Sequence, residues 1–289
     1  MIVTTGFFDG VHAGHTLVLG ALVNAARERG EESLVVTFWP HPRNVLQDGA
    51  RGLRLLSSLG EKRERMLSLG VDRVEVLPFT KEFSALSARD YIREVLVGRF
   101  GATAMVVGYD NRLGSDRLDS GMVAGLARKE GMDVILPPVA GGDSPVSSTR
   151  IRKALQDGDI ALANAMLGYG YQLHGVVVEG NRLGRTLGFP TANMQLYEPL
   201  KLVPANGVYA VDVQTLGKSF RGMCNIGVRP TVASGNARTI ETHILDFDED
   251  IYGLDISLSF VGRIRDERRF PSLEALSAQL AADREAVRL

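Results

Sequence analysis

The segment Gly6-Phe7-Phe8-Asp9-Gly10-Val11-His12-Ala13-Gly14-His15 most constrains what this chain can fold into. Val3-Thr4-Thr5 before it reads as a short buried strand. From Gly14 onward, Leu17, Leu22, Ala25 and Ala26 keep helical periodicity up to Gly30, which supplies a C-terminal stop. A strand, a glycine-rich turn and a helix start are therefore expected in that order. His12 and His15 then fall on one face of the first helical turn. The free N–H groups and the positive dipole end of that helix point the same way. Such a site suits a polyphosphate, and the imidazoles can stabilise charge that builds as pyrophosphate leaves. Taken alone, the pattern also allows a plain tight turn with ordinary surface histidines.

Bulk properties narrow the partners. A chain of 289 residues is long enough for two domains. Lys+Arg 33 against Asp+Glu 34 leaves a net charge of -1, so no global basic field addresses nucleic acid. Any phosphate site has to be built locally. The single cysteine, Cys224, excludes an internal disulfide and suits a reducing compartment. The sequence opens on a strand without a basic-then-apolar leader, and no apolar run nears membrane-spanning length. A cytoplasmic protein with no membrane, nucleic-acid or obligatory protein partner is expected.

Two rhythms divide the chain. Up to about Leu155, apolar strand candidates (34–38, 74–77, 104–107 and 134–136) alternate with helical stretches (61–69, 87–100 and 122–129). Near-continuous apolar strands between helices imply a parallel sheet covered on both faces, with ligands beyond the strands' carboxyl ends. After Gly168-Tyr169-Gly170-Tyr171, short strands follow closely: 174–179, 208–215, 219–225, 239–247 and 255–261. Ile256, Leu258 and Phe260 alternate with Asp255, Ser257 and Ser259, a period of two. An antiparallel barrel with a final helix from Ser272 is expected. The boundary falls between residues 168 and 169.

Further polar segments fall at strand ends or helix starts of the first half. Thr37-Phe38-Trp39-Pro40-His41-Pro42 is a rigid strand exit or places His41 on a ligand. Val107-Gly108-Tyr109-Asp110-Asn111-Arg112-Leu113-Gly114 puts polar groups where an adenine or ribose can bind. Ser147-Ser148-Thr149-Arg150-Ile151-Arg152 combines hydroxyls, a helix start and arginines, which is more than an N-cap needs. The first motif resembles that of the HxGH nucleotidyltransferase superfamily. In order, all four resemble the adenylyltransferase half of bacterial bifunctional riboflavin kinase/FAD synthetases, with Leu113 where that family often has Phe. The resemblance implies a Rossmann-like domain over residues 1–168. It implies ATP and phosphate contacts at Gly6, Phe8, Asp9, Gly14, Asp110, Ser147, Ser148, Thr149 and Arg152, with His12 and His15 catalytic.

The second half carries its own constellation. Gly184-Arg185-Thr186-Leu187-Gly188-Phe189-Pro190-Thr191-Ala192-Asn193 allows close backbone approach to phosphates and offers oxygens for a hard cation such as Mg²⁺, although a β-turn loop would explain its glycines alone. Glu241 and His243 share a strand face, and a carboxylate there can take a proton from an attacking hydroxyl. With Asn225-Ile226-Gly227 and the 265–270 segment, the order resembles the riboflavin kinase module. The resemblance implies a six-stranded barrel over residues 169–289. Thr191 and Asn193 would hold Mg²⁺, and Glu241 would act as base. Gly184, Arg185, Gly188, Pro190, Asn225, Arg265 and Phe270 would contact ATP or flavin.

Two decoys fail on spacing. Gly217-Lys218-Ser219 has Asp212 where a P-loop needs glycine, and the Asp246, Asp248, Asp250 run has Ile251 and Ser257 at the decisive calcium-loop positions. That run reads as a solvated turn. The expected function is phosphorylation of riboflavin by ATP to FMN, then transfer of AMP from ATP to FMN, giving FAD and pyrophosphate. Two rivals stand beside it. One is a kinase with an inactive or differently specific first domain, and the other is a flavin-binding regulator without turnover.

Overall fold

The computed structural model describes residues 1–42, 45, 53–109, 112–137, 146–180, 183–231 and 235–288. It forms two compact units, Met1–Ser148 and Thr149–Leu289. The first is built on five parallel strands, β1 (Ile2–Thr5), β2 (Ser33–Trp39), β3 (Arg73–Pro78), β4 (Ala104–Val106) and β5 (Asp133–Ile135), in the order β3-β2-β1-β4-β5. Alternation along the strands sends Val3, Leu34 and Val36 to one core and Ile2, Val35 and Val106 to the other. Leu19, Leu22 and Val23 of the helix Ala13–Arg29, with Met66 of the helix Leu59–Ser68, cover the second core. The π-helical segment Tyr91–Arg99 and the helix Ser120–Lys129 cover the first with Ile92, Leu96 and Val123. Burial on both faces is why these strands read as unbroken apolar runs.

The helix Ala13–Arg29 ends where expected, at Gly30 in the left-handed conformation. Leu113, which stands where the resembled family often has Phe, packs in the first core and bridges Leu118. An aliphatic side chain there fills volume.

The second unit closes six antiparallel strands into a barrel: β6 (Gln172–Val178), β7 (Ala192–Leu196), β8 (Gly207–Thr215), β9 (Lys218–Thr231), β10 (Gly235–Ile244) and β11 (Asp255–Arg265). Around the ring the order is β10-β7-β6-β11-β8-β9. Tyr209 and Phe260 meet edge to face in its core, 5.3 Å between centroids. The helices Ser148–Asp157 and Ile160–Leu167 precede the barrel and bond to it. Asn164 Nδ2 donates to the Phe260 carbonyl (2.9 Å), and the Ala205 N–H donates to Leu155 (2.9 Å). The compact units therefore divide before these helices, earlier than the change of sequence rhythm at 168. The C-terminal helix Leu273–Arg288 sets Val287 and Leu280 against Phe189, Val208 and Met223 at one end of the barrel.

Candidate active sites on the sheet and in the barrel

The histidine turn follows β1. Phe8 and Val11 take positive φ (49° and 36°), as does Gly10 (81°). A tight turn of this kind needs support, and Asp9 gives it from within. Its buried carboxylate accepts the backbone N–H of Leu56 (3.0 Å) and of Ser57 (3.1 Å), while the Gly10 N–H donates to Ser57 Oγ (2.9 Å). Ser148 Oγ adds a bond to the Asp9 carbonyl (3.0 Å). The geometry therefore gives Asp9 the work of fixing the turn.

His12 is the N-cap of the helix Ala13–Arg29, its Nδ1 accepting the His15 N–H at 3.4 Å. That contact leaves the proton of a neutral His12 on Nε2. The two rings stack with centroids 3.6 Å apart and planes at 15°, and Phe8 meets His15 edge-on at 5.1 Å. Gly14 makes room for this, since a Cβ there would press on the His12 ring at 3.3 Å. Burial, then His12 and Lys62, hold the His15 imidazole well below its ordinary range. His15 Nδ1 is buried without a hydrogen-bond partner among the described residues. His15 thus presents a neutral imidazole, stacked on His12 at a helix N-terminus, an arrangement suited to donating N–H to an anion.

Gly6 follows β1, its N–H bonded to the Val36 carbonyl (3.1 Å). Ser147 precedes the helix Ser148–Asp157, and Thr149 and Arg152 lie in its first turns. Asp110 lies outside the described residues.

The barrel assembles its polar groups by register. Across adjacent strands, Asn193 of β7 lies opposite Glu241 of β10, and Glu241 opposite Asn225 of β9. Asn225 faces Val208 of β8, and Val208 faces Arg265 of β11. Directly opposed residues project to one side of a sheet, so this row presents Asn193, Glu241, Asn225 and Arg265 together. Asn225, Glu241 and Arg265 line a cavity of 380 Å³, with Gly184, Thr191 and Phe270 on its walls and Leu276 and Leu280 of the C-terminal helix across from them. A second cavity, of 280 Å³, is lined by Arg185, Pro190, Thr191, Phe247, Tyr252 and the exposed Asp248, Glu249 and Asp250. Thr191 borders both. Gly188, with φ of 80°, turns the loop and lines neither.

Close approaches explain Gly184 of the loop and Gly180 ahead of it. A Cβ on Gly184 would drive into the Phe189 carbonyl, and one on Gly180 into the Asn193 amide. His243 pins the loop to β10: its Nδ1 lies 2.8 Å from the Pro190 carbonyl, so the proton sits on Nδ1. Arg265 Nε and a terminal nitrogen grip the carboxylate of Asp283 on the C-terminal helix, at 3.0 and 2.7 Å. Phe270 lies under Arg265 and Arg268, whose guanidinium carbons are 5.5 and 4.9 Å from its ring centroid. Sequence reading missed Lys62, Asp283 and the acidic wall of the smaller cavity. Nothing in local spacing marks a lysine or aspartate for burial.

The donor set fits Mg²⁺ on chemical grounds. Among the described residues no three His, Cys, Asp or Glu side chains gather to cage a metal. Thr191 and Asn193 instead offer isolated oxygens, which suits an ion that keeps most of its shell for water and phosphate.

A parallel sheet with a histidine turn at a helix N-terminus, and a barrel with a carboxylate in a cavity, define a two-domain phosphotransfer enzyme. Residues 1–150 match the family model for FAD synthetase, and residues 167–289 that for riboflavin kinase. The chain is 36% identical over 293 residues to the bifunctional riboflavin kinase/FMN adenylyltransferase of Bacillus subtilis, covering 99% of this chain and 92% of that protein. It is 39% identical over 285 residues to the protein of that name from Escherichia coli K12, covering 98% and 90%. A crystal structure from Streptococcus pneumoniae described as a macrolide-efflux protein superposes with a TM-score of 0.91 at 33% identity, over 99% of this chain and 93% of that one. Among the described residues no helix is long and apolar enough to cross a membrane. The chain belongs to the bifunctional riboflavin kinase/FMN adenylyltransferase family. It makes FMN from riboflavin and FAD from FMN, activities that take ATP as substrate.

Proposed function

We propose that residues 169–289 phosphorylate riboflavin and residues 1–168 adenylylate the product, with roles divided by the charge state of each nucleophile. In the first step a neutral ribityl hydroxyl attacks, and Glu241 takes its proton as the oxygen bonds to the γ-phosphorus of ATP and ADP leaves. The placement of Glu241 between Asn193 and Asn225, in the 380 Å³ cavity, carries this reading. We assign the flavin to that cavity, against Phe270 and Arg265, and the nucleoside to the smaller one. The carboxylates of Asp248, Glu249 and Asp250 suit ribose hydroxyls and an adenine amine better than phosphates. Thr191, on the border of both cavities, and Asn193 would hold Mg²⁺, which supplies charge neutralisation on the phosphates when bound. Gly184, Arg185, Gly188 and Pro190 shape the loop around the phosphates.

In the second step the FMN phosphate is already an anion and needs no strong base. Its oxygen attacks the α-phosphorus of ATP, and pyrophosphate leaves. His12 and His15 donate N–H to the departing oxygens at the helix N-terminus. Gly6, Phe8, Asp9 and Gly14 give the turn its shape. Asp110, Ser147, Ser148, Thr149 and Arg152 are assigned to nucleotide contacts on their sequence pattern. The single Cys224, buried and reduced, supports a cytoplasmic location. Incubation with riboflavin, ATP and Mg²⁺, with FMN and FAD separated over time, tests the scheme. FMN should rise first and FAD follow at its expense.

A further inference from the structure

Lys62 has no part in the scheme above, yet it is 5% exposed directly behind the histidine turn. It projects from the helix Leu59–Ser68, and its Nζ donates to the Phe7 carbonyl (2.9 Å) and to Thr37 Oγ1 (3.0 Å). Phe7 opens the turn after β1, and Thr37 lies near the end of β2. One ammonium therefore ties the turn to the neighbouring strand. Burying a lysine against two neutral acceptors is costly, and core packing does not require it. Among the described residues, Asp9 on the turn and His15 on the following helix act on it electrostatically; His12 stacks on His15, and the His41 ring lies 5.1 Å from that of Phe7, whose carbonyl Lys62 holds.

We propose that Lys62 is a positioning residue for AMP transfer, bracing the Phe7 carbonyl and holding a fixed positive charge behind His12 and His15. This rests on the role given above to the histidines. While charged, Lys62 helps keep His15 a neutral imidazole and adds to the positive potential of the helix end that faces the leaving pyrophosphate. Burial brings Lys62 down to about 8, against the pull of Asp9, so this charge is lost in mildly alkaline solution.

The test follows conversion of supplied FMN to FAD across pH for wild type, Lys62→Met and Lys62→Arg, with riboflavin phosphorylation by the same chain as reference. Wild-type kcat for FAD formation should fall as pH rises past about 8. Lys62→Arg, charged throughout, should extend activity beyond that limb. Lys62→Met should lose roughly tenfold or more at neutral pH, the scale of a misplaced site. Its acid limb should move to higher pH, because His15 has lost a neighbouring cation. FMN formation should hold in every variant. A wild-type rate and profile in Lys62→Met overturns the proposal. If that variant loses both activities, Lys62→Arg decides, and an alkaline limb unmoved by arginine overturns it. Should His12→Ala/His15→Ala still make FAD at the wild-type rate, the histidine reading fails first and takes this inference with it.

Discussion

A ribityl hydroxyl gives up its proton as its oxygen bonds to phosphorus, and Glu241 is the carboxylate placed in the row that faces the larger cavity. Glu241→Gln keeps the shape of that side chain and removes the base. FMN formation should fall by about 10²- to 10⁴-fold, while supplied FMN still becomes FAD. Loss of both activities in a folded protein would sink the division of labour. The histidines predict the reverse. In His12→Ala/His15→Ala, FMN should accumulate from riboflavin, and undiminished FAD in the chromatogram would contradict their role. Lys62 adds a stability signature with a definite sign. Its proton is released near pH 8 in the folded chain and near 10.5 ordinarily, so between those values the unfolded chain binds more protons. Stability of this domain should therefore rise with pH across that window, by about 3 kcal/mol in all, even as FAD formation declines. Denaturant titrations at pH 7.5 and about 10 should show the rise in wild type and a flatter response in Lys62→Met. Equal slopes in the two proteins would remove the charge from that position.

At the level of elements, the C-terminal helix lines the larger cavity with Leu276 and Leu280 and is tied to β11 by an ion pair. Asp283 is 1% exposed and receives Arg265 from β11 and Gln279 Nε2 (2.6 Å) from its own helix. Asp283→Ala leaves a partly buried guanidinium without its partner, which should cost about 3 kcal/mol in barrel unfolding. Because Arg265, Leu276 and Leu280 share the cavity wall, KM for riboflavin should rise while conversion of supplied FMN to FAD keeps its kinetics. An unchanged riboflavin KM would separate the helix from the flavin site. Elements with a clean period or an unbroken apolar run could be read from the residues alone. The strands of the sheet, the helix from the histidine turn to Gly30, and β11 are of this kind. β7 was harder to see. Ala192-Asn193-Met194-Gln195-Leu196 is short, only Met194 in it is buried, and Asn193 lies opposite Glu241 in the polar row rather than in the core. The resemblance implied a sixth strand, but the pattern did not place it. The row from Asn193 to Arg265 was equally hidden, since it depends on register between strands far apart in sequence. Lys62 and Asp283 look like surface charges until tertiary structure buries them. Their residue types carry no signal of that.

At the level of the whole chain, two reactions in sequence do not require two sites that depend on each other. Each unit has its own core: the sheet buries its strands between two layers of helices, and the barrel closes on itself. Each also carries the groups its own chemistry needs. On the proposed roles, the attacking hydroxyl would find a carboxylate in the barrel, and the departing pyrophosphate would find paired imidazoles beside the sheet. Disabling one site by substitution should therefore leave the other intact in the same full-length chain. A mixture of the Glu241→Gln chain with the His12→Ala/His15→Ala chain then has one working copy of each reaction on separate molecules. Given riboflavin, ATP and Mg²⁺, the mixture should make FAD after a lag while FMN accumulates in solution. Either protein alone should stop, one at riboflavin and the other at FMN. Doubling the His12→Ala/His15→Ala chain should shorten the lag, because that chain supplies the free FMN. FAD absent from the mixture, with both proteins folded and each retaining its single activity, would mean that FMN reaches the second site only within the chain that made it.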